Sequence, residues 1–137
     1  VAATTTARPP LPSPLRIVVG FLFVHAVKAG LAGAQAVLAG GPERPAPLEV
    51  LAPHLLYVAF DLLLAGQVLA RGRGAIFWSV VYFSALALSA VATLVLDPVR
   101  WIIMTPIGRA REVASLAIDA GLVAAVLSKS ARGALLR

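Results

Sequence analysis

Three ionisable side chains stand deep inside long apolar runs: Lys28, Asp61 and Asp119. A charge at the centre of a bilayer costs on the order of 2.5–3.5 kcal/mol on insertion scales, so such residues persist where they meet one another or face a polar cavity. Each lies within about 3 Å of helix rise from the middle of its run. One base and two acids at one depth are therefore expected to meet between helices. Such a cluster has two uses. It can hold helices in register as a buried ion pair, or it can take up and release protons on a path through the membrane. Two acids against one base leave a surplus negative charge, which a proton on one aspartate or on His25 would cancel.

Helical spacing brings other polar side chains onto the same faces. His25, Lys28, Ala32 and Gln35 fall at i, i+3, i+7 and i+10, and His54, Tyr57 and Asp61 at i, i+3 and i+7. Ser79, Tyr82, Leu86, Ser89 and Thr93 form a third stripe, and Ser115 and Asp119 a fourth. The expected intramembrane cluster is Lys28, Asp61, Asp119 and His25. Ligand or cofactor contacts are expected from His25, Gln35, His54, Tyr57 and Tyr82. A quinone suits His25, Tyr57 and Tyr82. A haem or chlorophyll on His25 is disfavoured, because His54 lies near the start of its run and cannot face His25 at one depth. The sequence holds no metal-ligand cluster, phosphate loop or nucleophile–base pair, so no catalytic residue is assigned and an enzyme is disfavoured.

The elements that would position these residues are four apolar spans, about 15–39, 48–70, 75–96 and 109–128. Crossing about 30 Å of hydrocarbon takes roughly 20 helical residues. Helices are expected because an open chain in lipid must satisfy its backbone within each segment. Gly40-Gly41-Pro42 ends the first span, Arg71-Gly72-Arg73-Gly74 the second and Asp97-Pro98 the third. Residues 1–14 read as an extended Pro-rich arm, since the four prolines from Pro9 to Pro14 forbid a helix there. The loop Pro42–Pro47 carries Glu43 and Arg44. Residues 99–108, with Trp101 and Pro106, read as an interfacial segment or re-entrant turn, and 129–137 as a basic tail. Trp78 and Trp101 lie near span ends, where indoles prefer to sit. Ala26, Gly30 and Ala34, like Ala29 and Gly33, are spaced by four, which makes the first span the candidate for close helix approach.

Composition agrees with this layout. The 137 residues are 60% hydrophobic and 13% charged, where a soluble domain has about 45–50% and about 25%. That excludes a soluble globular domain, a disordered tail and a disulfide scaffold. With no cysteine, thiolate nucleophiles, dithiol relays, iron–sulfur clusters and cysteine zinc sites are excluded. The net charge of +6 sits mostly at span ends and does not interleave with exposed aromatics, so it indicates a bilayer and not nucleic acid. The run that follows Arg16 resembles a signal peptide, but it is long and holds Lys28, so the reading is a retained span. Four spans place both termini on one side. That side carries Arg8, Arg16, Arg71, Arg73, Lys129, Arg132 and Arg137, against Arg44, Arg100, Arg109 and Arg111 on the other. The bias puts the termini in the cytoplasm.

The first span, with Arg16, Gly20, Phe23 and Lys28 in RIVVGFLFVHAVK, resembles the opening of the DoxX-like family of small four-span bacterial membrane proteins. Asp61, Gly66 and Arg71 are similar to that family's acidic residue, glycine-containing run and closing base. The family more often has Glu at the position of Asp61 and Gly at that of Ala26. The likeness covers about residues 14–76. It implies an all-α, four-helix transmembrane bundle in the bacterial inner membrane, associated with oxidoreductase systems such as quinone-linked sulfur oxidation and complexes against oxidative stress. The expectation is a non-catalytic accessory subunit of a redox-linked membrane complex, with other membrane subunits or copies of itself as partners. The alternatives are a small proton-coupled transporter, using Asp61 and Asp119 as proton sites and Lys28 as a gate charge, and a quinone-binding subunit.

Overall fold

The structure, a computed structural model, describes residues 9–39 and 47–136. Residues 1–8 of the arm, the loop residues Glu43 and Arg44, and Arg137 lie outside the described residues. Six helices follow in order: α1 Ser13–Leu38, α2 Pro47–Leu69, α3 Ala75–Leu96, α4 Pro98–Ile103, α5 Pro106–Leu127 and α6 Lys129–Leu135. No strand occurs among the described residues. Three helices, α1, α2 and α3, are each long and apolar enough to cross a membrane. A fourth span results if α5 and α6, bent by 58°, count as one. These helices are compatible with a multi-pass membrane protein.

The punctuation of the chain is local chemistry. Helix α1 starts earlier than the proline run suggests, with Pro14 in its first turn. Proline is tolerated there, because a first-turn N–H has no partner within the helix anyway. Helix α2 ends with Arg71 in the left-handed region at φ 54°. Gly72 N–H then returns to the Gln67 carbonyl at 2.8 Å and Arg71 N–H to Val68 at 3.1 Å, a Schellman-type stop. Asp97 caps α4 by accepting from Arg100 N–H at 3.0 Å. Thr105 caps α5 by accepting from Gly108 N–H at 3.1 Å. Each cap is followed by a proline at the first helical position.

The 99–108 segment is therefore a short helix and a turn, and Pro106 opens α5 three residues before the expected start of the fourth span. Arg109 ties these pieces together. Its Nη2 donates to the Ile102 carbonyl at 2.8 Å, and its guanidinium lies 5.7 Å from the Trp101 ring centroid, within cation–π range. The C-terminal segment read as a basic tail is also a helix. Ser128 caps it, accepting from Ala131 N–H, and Ala131 and Leu135 are buried.

One core draws on all four long helices: Val18 and Leu22 of α1, Leu64 and Ala65 of α2, Tyr82 and Phe83 of α3, and Leu122 and Val126 of α5. A second joins Leu15 and Val19 to Val68, Ala75, Ala131 and Leu135. It packs α6 against the beginning of α1, the end of α2 and the start of α3. Arg71 also donates to the Pro9 carbonyl at this end. Helix α1 lies chiefly along α2, and α3 along α5. Gly33 allows the first of these approaches, since a Cβ there would stand 2.9 Å from His54 Cβ. Outward faces carry large apolar side chains such as Leu31, Leu56, Leu63 and Leu88. So much exposed apolar surface suits lipid and not water. In lipid the helices gain little from hydrophobic burial and associate through packing and polar contacts.

Candidate functional site

Asp61 is the centre of the polar interior. Its side chain is fully buried, on the face of α2 that continues through Leu64, Ala65 and Val68. A buried carboxylate needs partners for its lone pairs, and two helices supply them. Tyr82 of α3 donates its hydroxyl to Oδ1 at 2.6 Å, and His25 Nδ1 of α1 stands 2.8 Å from Oδ2. Against a carboxylate, Nδ1 is the donor, which leaves Nε2 as the ring's second functional nitrogen. The ring geometry is set by packing. Phe21 stacks on His25 at 5.7 Å between centroids, and Tyr57 meets it edge-on at 6.3 Å. Phe60 stacks on Tyr82 at 5.3 Å.

The expected partner of Asp61 is therefore replaced. Among the described residues Lys28 forms no ion pair with Asp61 or with Asp119. It is exposed on α1 and lines a cavity of about 510 Å³ that separates α1 from α3 and α5. The physical reason lies in position on α1. Three residues place Lys28 about 60° around the axis from His25 and about 4.5 Å further along it, and the turn of α1 packed against Asp61 is the one that carries His25.

The cavity runs from His25 and Asp119, past Lys28, Ser89 and Ser115, to Thr93, Arg100, Arg111 and Glu112 where α3, α4 and α5 connect. Asp119 is buried. Arg100 Nη2 approaches Glu112 Oε1 at 4.0 Å. Of the expected cluster, then, His25, Lys28 and Asp119 share one cavity, while Asp61 is sealed behind His25. The other expected contacts lie elsewhere. Tyr57 and Tyr82 wall a separate apolar groove of about 380 Å³ with Pro53, Leu56 and Phe60. His54 packs against Gly33. Gln35 is exposed and lies off the polar cavity. Among the described residues no group of three His, Cys, Asp or Glu could hold a metal.

Arg100 and Arg111, which the sequence reading counts only toward orientation, and Glu112, which it does not single out, also line the cavity. The signal was present, since Glu112, Ser115 and Asp119 stand at i, i+3 and i+7 and extend the fourth stripe by a turn. Chemically, His25 can accept a proton at Nε2 and hold the resulting cation against Asp61, and Asp119 can carry a second proton on the cavity wall.

Compared with known proteins, the chain matches no family model, no curated protein and no solved structure.

Proposed function

We propose that the chain is a small proton-coupled transporter of the bacterial inner membrane, built as a four-helix transmembrane bundle with both termini in the cytoplasm. One observation carries this reading: His25 bonds the sealed carboxylate of Asp61 and also walls the polar cavity that holds Asp119. A purely structural ion pair needs no cavity beside it. A proton site needs access to one side of the membrane and a group that stores charge out of water, and His25 with Asp61 meets both needs. The cavity is within the range of small-molecule sites, roughly 300–1,000 Å³. The Lys and Arg bias supports the orientation, and it turns the Arg100–Arg111 end toward the periplasm.

The accessory subunit of a redox-linked complex rests on the DoxX-like resemblance, and no feature of the cavity calls for it. Native mass spectrometry of gently extracted protein separates the two: large partner subunits or a bound quinone favour the complex, and a bare chain or homo-oligomer favours the transporter.

The direct test uses the full chain in liposomes with a trapped pH dye and an imposed pH gradient. Succinate, choline and glucose represent anionic, cationic and neutral solutes. One class is expected to speed collapse of the gradient, and Asp119→Asn to abolish that effect while helicity by circular dichroism is kept. Parent-like flux in Asp119→Asn, or no solute-dependent proton flux with any class, would end the proposal.

A further inference from the structure

The charges along the cavity are unbalanced in one direction. Its wall holds three fixed cations, Lys28, Arg100 and Arg111, and two carboxylates, Glu112 and Asp119. Arg100 faces Glu112, with Nη2 4.0 Å from Oε1. Among the described residues Lys28 and Arg111 have no ion-pair partner, and one carboxylate, Asp119, remains for both. The placement makes this matter. Lys28 lies about 4 Å of helix rise from the middle of α1, and Arg111 about 11 Å from the middle of the 109–128 span, near its outer end. At the depth of Lys28 the bilayer leaves little water to screen an ammonium, so an uncompensated cation there calls for a counter-anion. Arg100 and Arg111 stand at the outer end, where a basic mouth raises the local concentration of anions. Lys28 lies further in, between that mouth and Asp119.

We propose that the cavity is an oxyanion site, in which Lys28 and Arg111 bind a small carboxylate or phosphate that enters past Arg100. The hydroxyls of Ser89 and Ser115 on the same wall supply neutral donors for the remaining oxygens, whereas Thr93 gives its proton to the Ser89 carbonyl. This deepens the transport reading and rests on it for one point. A proton on Asp119 removes one of the wall's two negative charges and leaves Glu112 facing Arg100, so proton and anion bind together.

The test is equilibrium binding to the full chain in nanodiscs of zwitterionic lipid, by calorimetry, with succinate and inorganic phosphate as probes and choline and glucose as controls. At least one oxyanion is expected to bind and both controls to fail. Lys28→Gln is expected to weaken binding by about tenfold, with partial recovery in Lys28→Arg. Arg111→Gln, at an exposed position where folding is not at stake, is expected to weaken it as well. A second set of nanodiscs contains phosphatidylglycerol. Loss of succinate and phosphate binding there supports the same oxyanion chemistry and shows that lipid phosphates compete for the site. No binding of either oxyanion in zwitterionic nanodiscs, or binding unchanged in both variants, overturns the proposal.

The two readings fail separately. Oxyanion binding without proton flux keeps the site and removes transport. Flux driven by choline or glucose without oxyanion binding keeps transport and removes the site.

Discussion

Tyr82→Phe isolates one interaction with little else disturbed. The substitution deletes the hydroxyl that donates to Asp61 Oδ1 at 2.6 Å and keeps the ring that stacks on Phe60 and touches Phe83. A hydrogen bond to a charged group contributes about 1.5–3 kcal/mol in water-soluble proteins. Between helices in a membrane the average is about 0.6 and the largest values about 1.7 kcal/mol, because the unfolded chain in lipid also finds partners. Asp61 is fully buried and has two donors, so the upper end applies. The expected loss is about 1.5 kcal/mol, roughly tenfold in the unfolding constant. The assay is reversible unfolding of the purified chain in mixed detergent micelles, followed by circular dichroism, in the parent and in an Asp61→Leu background. There the acceptor is gone and a buried hydroxyl is left without its partner, so Tyr82→Phe should be neutral or stabilising. A loss below about 0.3 kcal/mol in the parent, or an equal loss in both backgrounds, would show that Asp61 and Tyr82 are not coupled in the way described.

Three further outcomes are expected. Gly33→Ala puts a methyl 2.9 Å from His54 Cβ, so α1 and α2 must move apart, at a cost of about 1–3 kcal/mol in the same unfolding assay; a neutral result would show that the two helices are not held at this distance. Thr105→Ala removes the cap on Gly108 N–H at a cost of about 1 kcal/mol, visible as faster hydrogen exchange in the first turn of α5 but not in α3. Phe83→Ala empties a fully buried position at a cost of about 3 kcal/mol, whereas Leu56→Ala, on an exposed face of α2, should stay within about 0.5 kcal/mol.

Much of the helical layout can be read from one dimension of the chain. The span ends follow from residues acting on their own backbone: Asp97 and Thr105 as caps, Pro98 and Pro106 at first helical positions, and Gly72 in the stop after α2. Depth is equally legible, because 1.5 Å per residue converts position into height. That is enough to place His25, Lys28, Asp61 and Asp119 near one level. The C-terminal segment differs from its sequence reading for a related reason. Lys129, Arg132 and Arg137 make the C-terminus look like a solvated tail, but Ala131 and Leu135, four residues apart, find a complementary surface at the start of α1 and the end of α2, and that surface is not adjacent in sequence. Pro106, at the end of the segment read as interfacial or re-entrant, opens α5, because the Thr105 hydroxyl completes a cap.

Which charge meets which was decided only by tertiary structure. Height along a helix is fixed by counting residues, but rotation about its axis is settled by side-chain packing against particular neighbours. The close approach of α1 to α2 at Gly33 and the His25–Asp61 bond fix how α1 is turned, with His25 toward Asp61 and Lys28 on the cavity wall. The cavity itself has no signature in any single segment, since it is the space left where α1 stands off from α3 and α5. The sequence alone thus determined that charged groups would lie at mid-depth among apolar helices; packing between helices determined that one acid would be sealed and the other, with Lys28, would face open space.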